Sequence, residues 1–249
     1  RRLDRFLRLP FNLFLPGIRR AAPGEFSMPV ILTLDPEVKK LWPGTVLGVM
    51  TWHASVHGVN PDLWTFYAES VQPGLFGKLQ STELSAMPAM SDNRRAFKSF
   101  GLDPGRTRIS SEALYRRVRQ GKDLYQVNAV VDANNLVSLA SGFSLGSYDM
   151  ARTGQSVALR LGREGETYAG IGKGGIKLHH MPVLCDGDGP FGSPVSDSRR
   201  AMVSDGAENI MTVIYGFSGR GPVEAALQEA STCFTRFAGA SEIETALAE

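Results

Sequence analysis

The segment NAVVDANNLVSL, residues 128 to 139, combines the apolar content of a buried element with one aspartate and three asparagines. In a helix that turns about 100° per residue, Asn128, Asp132 and Asn135 lie at about 0°, 40° and −20°, which makes one narrow polar stripe beside an apolar arc. Amides and carboxylates buried without hydrogen bonds destabilise a protein by roughly 1–3 kcal/mol each. The stripe therefore either caps neighbouring loops or forms a pocket wall that contacts a polar ligand. Spacing alone does not separate the two.

Two glycine-rich segments match catalytic motifs only in part. GFSLG, residues 142 to 146, fits G-x-S-x-G, but a nucleophile elbow needs a strand before the serine and a helix after it. Here we expect a helix before the serine and irregular structure after it, so we predict a glycine-flanked loop. GIGKGG, residues 170 to 175, has no Ser or Thr after its lysine and is neither a P-loop nor a dinucleotide fingerprint. It predicts a hairpin turn.

Histidines and cysteines do not form a metal-binding pattern in this sequence. On a strand, His53 and His57 would stand about 13 Å apart, too far to share one metal ion. Cys185 and Cys233 are distant in the chain and form no CxxC pair. We predict no metal and no cofactor, and a reducing cytoplasm is the expected compartment.

Positive charge is concentrated in residues 94 to 122. This segment holds nine Lys or Arg against two acids, a net of 9 − 2 = +7. It is either a solvated helical face or a surface that contacts phosphates, in which case its binding should weaken with salt. The local clustering of positive charge indicates possible phosphate binding better than the overall charge of +2 does.

The overall charge depends on the first 27 residues, which hold six Arg and two acids. The remainder has 27 − 6 = 21 basic and 25 − 2 = 23 acidic residues, a net of −2. We interpret residues 1–27 as a leader or an artificial extension, with a genuine basic arm as the alternative. A hydrophobic content of 43% is that of an ordinary soluble globular protein, and no apolar run reaches the roughly 18 residues of a membrane span.

The elements that position these groups follow an α+β order. Helices are predicted in the first part of the chain, at 110–120 and 128–141, and again from Pro222 to Gly239, whereas strands cluster between Val157 and Tyr215. We predict one domain of mixed or antiparallel sheet with flanking helices over residues 28–240, and a C-terminal tail at 241–249.

Three segments in order carry a family resemblance: SFGLDPGRTRISSEALYRRVRQGKDL, NAVVDANNLVSL and GFSLGSYDM. Together they resemble free-standing relatives of the tRNA-editing domain, the B3/B4 module, of the phenylalanyl-tRNA synthetase beta subunit. The resemblance covers roughly residues 31 to 238 and continues through SDSRRAMVSDGAEN. It implies a stand-alone protein that binds the acceptor end of tRNA and hydrolyses mischarged aminoacyl-tRNA. It does not imply aminoacylation by this chain alone, DNA binding or a membrane.

The resemblance also implies site residues, with two departures from the family pattern. Asp132 and Asn135 match the VVDxxNxV motif, and the loop 142 to 149 matches one that borders the editing pocket. Where the synthetase domain has a histidine, this chain has Gly146, and a synthetase glutamate falls near Val213. The amino-acid specificity of the synthetase is therefore not carried over.

As a hypothesis, Asn128, Asp132 and Asn135 orient the aminoacyl group or the water, and close backbone approach is allowed at Ser144 and Gly146. The residues that would support the pocket or hold the tRNA end are Arg108, Ser111, Glu112 and Arg117. The alternative is a non-catalytic tRNA-binding or RNA-binding module that uses the basic segment. The sequence leaves enzyme activity, the amino acid, the tRNA and the oligomeric state open.

Overall fold

Two four-stranded sheets dominate the computed structural model, which describes residues 30–54 and 56–249; the predicted extension 1–27 lies outside them. The first sheet has the order β1-β4-β7-β8 and the second the order β10-β2-β9-β3. In the first sheet β1 runs parallel to β4, and every other pairing in the two sheets is antiparallel. The strands are β1 Ile31–Leu34, β2 Val46–His53, β3 Ser144–Asp149, β4 Ser156–Leu161, β5 Thr167–Ala169, β6 Gly175–Lys177, β7 Pro182–Asp186, β8 Gly189–Gly192, β9 Asn209–Gly216 and β10 Ser241–Ala248.

Most of the helices lie in the chain between β2 and β3. The helices are α1 Pro36–Leu41, α2 Pro61–Phe66, α3 Gln72–Ser81, α4 Pro88–Ser99, α5 Ser110–Arg119, α6 Ala129–Ser141 and α7 Arg220–Ala238. Of these, α5, α6 and α7 contact the second sheet. A short π-helical turn, Tyr67–Val71, joins α2 to α3. Gly142 ends α6 in the left-handed conformation, with φ of 82°, as the sequence predicts.

The second sheet lies between the helices and the first sheet. On its helical side, Trp52 of β2 meets Phe234 of α7 with ring centroids 4.9 Å apart. On the opposite side, Tyr148 of β3 meets Phe191 of β8 edge-on at 5.0 Å. Because side chains alternate along a strand, Ser144, Gly146 and Tyr148 face the first sheet, and the residues between them face the helices. The predicted α+β fold is confirmed.

Two segments differ from the sequence prediction. Residues 142 to 149, predicted to be a loop, contain β3, a largely buried strand that pairs with β9 at one end of the second sheet. The sequence SLGSYD does not show the apolar pattern of a strand, because its hydroxyl groups form hydrogen bonds with residues that are distant in the chain. The hairpin turn predicted at GIGKGG is confirmed, since residues 170 to 174 connect the paired strands β5 and β6.

Residues 241–248, predicted to be a tail, form β10 at the edge of the second sheet, where it pairs with β2. Gly239 ends α7 with φ of 65°, which lets the chain reverse onto β2. Most side chains of β10 are exposed, so the strand lacks the apolar alternation that would reveal it. Across 30–54 and 56–249 the helices are all too short or too polar to cross a membrane.

Candidate functional site

The carboxylate of Glu112 binds guanidinium groups from two helices and the loop between them. Arg94 of α4 donates from Nη1 to both carboxylate oxygens at 3.1 Å. Arg116, one turn along α5, donates from Nε to Oε1 at 3.0 Å, and Nε of Arg108 lies 3.9 Å from the same oxygen. The Glu112 side chain is only 3% exposed, so these arginines compensate for a buried charge.

The arginine cluster (Arg94, Arg108 and Arg116) carries more charge than Glu112 neutralises. Three guanidinium groups against one carboxylate leave two positive charges in excess. The three side chains are 32%, 44% and 45% exposed, so they also face solvent. Each guanidinium has five N–H donors, and Glu112 uses only some of them. The cluster is thus able to bind an anion such as a phosphate.

Arg117 lies outside this cluster, although the sequence groups it there. Its guanidinium carbon is 4.0 Å from the centroid of the Tyr125 ring, and Nη1 donates to the Tyr125 hydroxyl at 3.1 Å. Nε donates to the carbonyl oxygen of Asp123. Tyr125 is 68% exposed, so the pair presents a flat surface of the kind on which unpaired bases stack.

The start of α5 connects the arginine cluster to both sheets. The N–H of Ser111 donates to Oγ of Ser144 on β3 at 3.2 Å, and the two hydroxyl oxygens are 3.3 Å apart. The N–H of Ser110 donates to the carbonyl oxygen of Pro194, in the loop after β8, at 2.8 Å. Ser144 follows a helix and begins a strand, the reverse of a nucleophile elbow.

Asn128 and Asp132 have hydrogen-bond partners within the fold. Asn128 is the N-cap of α6, and its Oδ1 accepts from the N–H of Val131 at 2.9 Å. Asp132 accepts from the N–H of Val127 at Oδ1 and from the indole N–H of Trp64 at Oδ2, both at 2.9 Å. Burial raises the pKa of Asp132, although both donors lower it. These contacts favour the capping interpretation over the catalytic one.

Replacing Asp132 with alanine should destabilise the fold by about 2–3 kcal/mol, because Val127 N–H and the Trp64 indole both lose their acceptor. Asp132→Asn keeps one acceptor oxygen and should lose about half as much. Urea unfolding measures both variants beside Asn135→Ala, a half-buried neighbour on α6. If Asp132→Ala and Asn135→Ala had the same urea midpoint of unfolding, this structural role of Asp132 would be contradicted.

Asn134, which the sequence did not propose as a site residue, is the amide of α6 that faces the second sheet. Its Oδ1 accepts from Ser147 Oγ at 3.0 Å, and Ser147 Oγ lies 2.7 Å from Thr212 Oγ1. The indole of Trp52 donates to the same Thr212 oxygen at 3.0 Å. This buried chain of polar groups joins α6 to three strands. The sequence did not single it out because its members are far apart in the chain, while Asn135 stays half-buried beside it.

The phenol of Tyr148 fills a slot between the two sheets. Its Oη lies 2.6 Å from Oη of Tyr215. A Cβ atom on Gly146 would lie 2.0 Å from Tyr148 Oη, and one on Gly192 would lie 2.2 Å from it. Both glycines are therefore required for the phenol to occupy this slot. Burial holds the pKa of both tyrosines well above the ordinary value, so both phenols are neutral.

Asp197, in the loop after β8, was not selected from the sequence. Its Oδ1 accepts from the Tyr148 hydroxyl at 2.8 Å and from the N–H of Ser193 at 3.1 Å. Burial raises the pKa of Asp197 to about 7, against the lowering effect of these two donors. A carboxyl group that titrates near neutral pH is typical of functional sites. In the sequence it is one acid in the serine-rich segment SPVSDS, a composition that ordinary loops share.

Gly146 and Val213, the two positions that depart from the synthetase pattern, stand opposite each other on β3 and β9. Neither side chain is ionisable, and the space over Gly146 holds the Tyr148 phenol. Within the described part of the chain, no group of three or more His, Cys, Asp or Glu side chains is placed to hold a metal ion. Asp197 is the carboxyl group bonded to the Tyr148 phenol on this face.

Comparisons with known proteins place most of the chain in one family. Residues 92–249 match the family model described as the B3/4 domain. Among solved structures, the fold is similar to an N-terminal fragment of the phenylalanyl-tRNA synthetase beta-subunit from Pyrococcus horikoshii, with a TM-score of 0.43 and 14% sequence identity. The match covers 88% of this chain and 52% of that one, so this chain spans about half of that fragment. No curated protein matches the chain.

Proposed function

The chain belongs to the B3/4 domain family, and from this premise we propose that it binds the acceptor end of aminoacyl-tRNA and hydrolyses mischarged molecules in trans. The observation that carries the proposal is the arginine cluster on Glu112, which leaves two positive charges on a half-exposed surface. Phosphates of an RNA backbone are anions that arginine binds in a bidentate geometry. The proposed substrate is the ester between an amino acid and the terminal ribose of tRNA.

The position of the arginine cluster supports this assignment. Glu112 follows Ser111, whose N–H bonds to the first residue of β3, Ser144. The neighbouring Ser110 bonds to the loop that carries Asp197. A backbone phosphate held by Arg108 or Arg116 would therefore bring the 3′ end of the tRNA toward the face of β3 that meets the first sheet.

Hydrolysis of the ester makes modest chemical demands on the protein. An aminoacyl ester is already activated, so a positioned water and a proton acceptor are sufficient for attack on its carbonyl carbon. The protein would bind the amino-acid side chain, hold the water and donate hydrogen bonds to the developing oxyanion. Exclusion of the cognate amino acid would then give the editing specificity.

One observation favours the alternative, a non-catalytic tRNA-binding module. Positions 146 and 213 carry Gly and Val, so the face of β3 and β9 lacks the ionisable pair that the synthetase resemblance implies. The exposed pair of Arg117 and Tyr125 would serve RNA binding without any reaction. This alternative predicts tRNA affinity that falls steeply with salt, and no release of amino acid.

A panel of mischarged tRNAs tests the proposal directly. We expect free amino acid to be released from at least one mischarged pair above the spontaneous rate, while correctly charged tRNA is spared. Binding is measured in parallel at several salt concentrations. Tight, salt-dependent binding without release for any pair would establish the non-catalytic alternative, and absence of binding to any tRNA would contradict both.

Arg116→Gln should weaken tRNA binding by about threefold to tenfold and reduce the slope of log affinity against log salt by nearly one, since one phosphate contact is lost. The matched control is Arg106→Gln, which removes a positive charge from the same basic segment at a side chain that is 91% exposed and lies beside Asp103. Equal losses in the two variants would show that binding depends on total charge, not on the cluster. Thermal unfolding checks that both variants are folded.

A further inference from the structure

One carboxylate oxygen of Asp197 accepts hydrogen bonds from the protein, and the other has no donor among the described residues. Oδ1 accepts from the hydroxyl of Tyr148 and the N–H of Ser193, at 2.8 and 3.1 Å. Oδ2 has no hydrogen-bond donor among residues 30–54 and 56–249, and the residue keeps part of its surface exposed. A carboxylate fixed through one oxygen presents the lone pairs of the other in a defined direction. Such an arrangement allows the carboxylate to accept a proton from a small molecule such as water.

The donor that fixes Oδ1 is itself held tightly. Tyr148 is buried, its ring meets Phe191 edge-on, and its hydroxyl also contacts Tyr215 at 2.6 Å. Gly146 and Gly192 have no side chain, and this leaves the space that the phenol occupies between the strands that carry them. The carboxyl of Asp197 is thus aimed by a rigid aromatic group that cannot move without repacking the interface between the two sheets.

The loop that carries Asp197 contacts the start of α5, close in the chain to residues of the arginine cluster. The N–H of Ser110 bonds to the carbonyl of Pro194, three residues before Asp197, at 2.8 Å. Ser110 lies between Arg108, a member of the arginine cluster, and Glu112, the carboxylate to which the cluster binds. A nucleic acid bound to that cluster would have its terminal nucleotide within reach of the loop that carries Asp197.

Resting on the proposed function, we propose that Asp197 is the general base of the deacylation and that Tyr148 is the residue that positions it. The ionised Asp197 takes a proton from water as the water oxygen bonds to the ester carbonyl carbon. The resulting tetrahedral oxyanion collapses, and the bond from the carbonyl carbon to the ribose oxygen breaks. The protonated Asp197 returns its proton to that ribose oxygen, so the products are the free amino acid and tRNA with its hydroxyl restored.

The groups around Asp197 do not change their charge near pH 7, so the pH dependence of the reaction should follow the ionisation of Asp197. The titratable groups that interact with it are the phenols of Tyr148, Tyr168 and Tyr215, which are neutral near pH 7 because burial raises the pKa of each. Arg200, in the helical turn after the loop, is paired with Asp186 at 2.8 Å. Activity should therefore rise with pH through a single ionisation near 7, the value to which burial raises the pKa of Asp197.

Asp197→Asn tests the assignment with little change in shape, since the amide oxygen still accepts from Tyr148 and Ser193. We expect deacylation to fall by at least about 100-fold, as removal of a general base does, while tRNA affinity changes less than about twofold. The matched control is Asp205→Asn, an exposed acid in the same half of the chain, which should keep full activity. Full activity of Asp197→Asn would overturn the inference.

Tyr148→Phe separates positioning from a structural role. Loss of the hydroxyl removes a bond that lowers the pKa of Asp197, so the midpoint of the pH profile should move upward while a residual rate persists. A wild-type profile without an ionisation near 7, or an unshifted midpoint in Tyr148→Phe, would overturn the inference even if Asp197→Asn failed to fold. A wild-type protein that releases no amino acid from any mischarged tRNA would instead contradict the proposed function.

Discussion

The free energy of unfolding should fall as the pH is raised from about 4 to about 7, because Asp197 binds its proton more tightly in the folded protein than in the unfolded chain. The folded pKa is about 7 and the ordinary value is 3.8. Between these values the folded state holds a proton that the unfolded state has released, so stability is fully present below the lower pKa and is lost toward the higher one. A shift of this size corresponds to at most about 4 kcal/mol.

Comparison with Asp197→Asn isolates this contribution. Asp186 and Glu166, whose pKa values are lowered, act in the opposite direction, but they are present in both proteins. The variant should therefore be less dependent on pH than the wild type, and it should be the more stable of the two above pH 7. Urea unfolding at intervals of pH measures both curves. Parallel curves would show that Asp197 titrates in the folded protein as an ordinary surface carboxyl does.

A gain in stability from Asp197→Asn together with a loss of deacylation would have a clear meaning. An acid retained only to support the fold should stabilise the protein in its ionised form. An acid that destabilises the fold at neutral pH and yet is required for the reaction is instead typical of a functional group. The two experiments on one variant therefore distinguish a structural acid from a catalytic one.

Adding a methyl group at Gly146 or Gly192 should destabilise the protein by about 3 kcal/mol or more, since overpacking of a rigid core is poorly tolerated. The new Cβ would lie 2.0 or 2.2 Å from Oη of Tyr148 and 2.5 or 2.6 Å from its Cζ. The phenol has no room to move away, because it is buried and bonded to Tyr215 and Asp197.

Gly221→Ala is the matched control for these substitutions. Gly221 lies in the first turn of α7 with no atom within 4 Å of a new Cβ, so alanine should be neutral or slightly stabilising there. A double-mutant cycle between Gly146→Ala and Tyr148→Phe should show coupling, although partial, because Cζ remains too close in phenylalanine. If Gly146→Ala and Gly221→Ala unfolded at the same urea concentration, the conclusion that the Tyr148 phenol requires glycine at position 146 would be contradicted.

The arginine cluster shows what the pattern of charges in the sequence can predict and what it cannot. Segment 94–122 is basic in the sequence, but only the structure divides it into arginines that share Glu112 and an arginine that stacks on Tyr125. Linear spacing cannot make this division, because Arg94 reaches Glu112 from another helix. The same limit explains why the sequence named Glu112 and Arg108 as site residues but not the other two partners of Glu112, Arg94 and Arg116.

The sequence by itself determined the helices α5, α6 and α7, the α+β class and the end of α6 at Gly142. These depend on local periodicity and on glycine in the left-handed conformation, which neighbouring residues in the chain specify. The family resemblance also rests on local segments, and it matches the B3/4 domain found for residues 92–249.

Only the tertiary structure decided which polar groups form the candidate site. Asn128 and Asp132 belong to the segment NAVVDANNLVSL that suggested catalysis, yet their partners are Val131, Val127 and Trp64. Asp197 is oriented by a hydrogen bond from Tyr148, 49 residues earlier in the chain, and its pKa is raised by desolvation. Desolvation and hydrogen bonding between distant strands exist only after packing, so no local pattern records them.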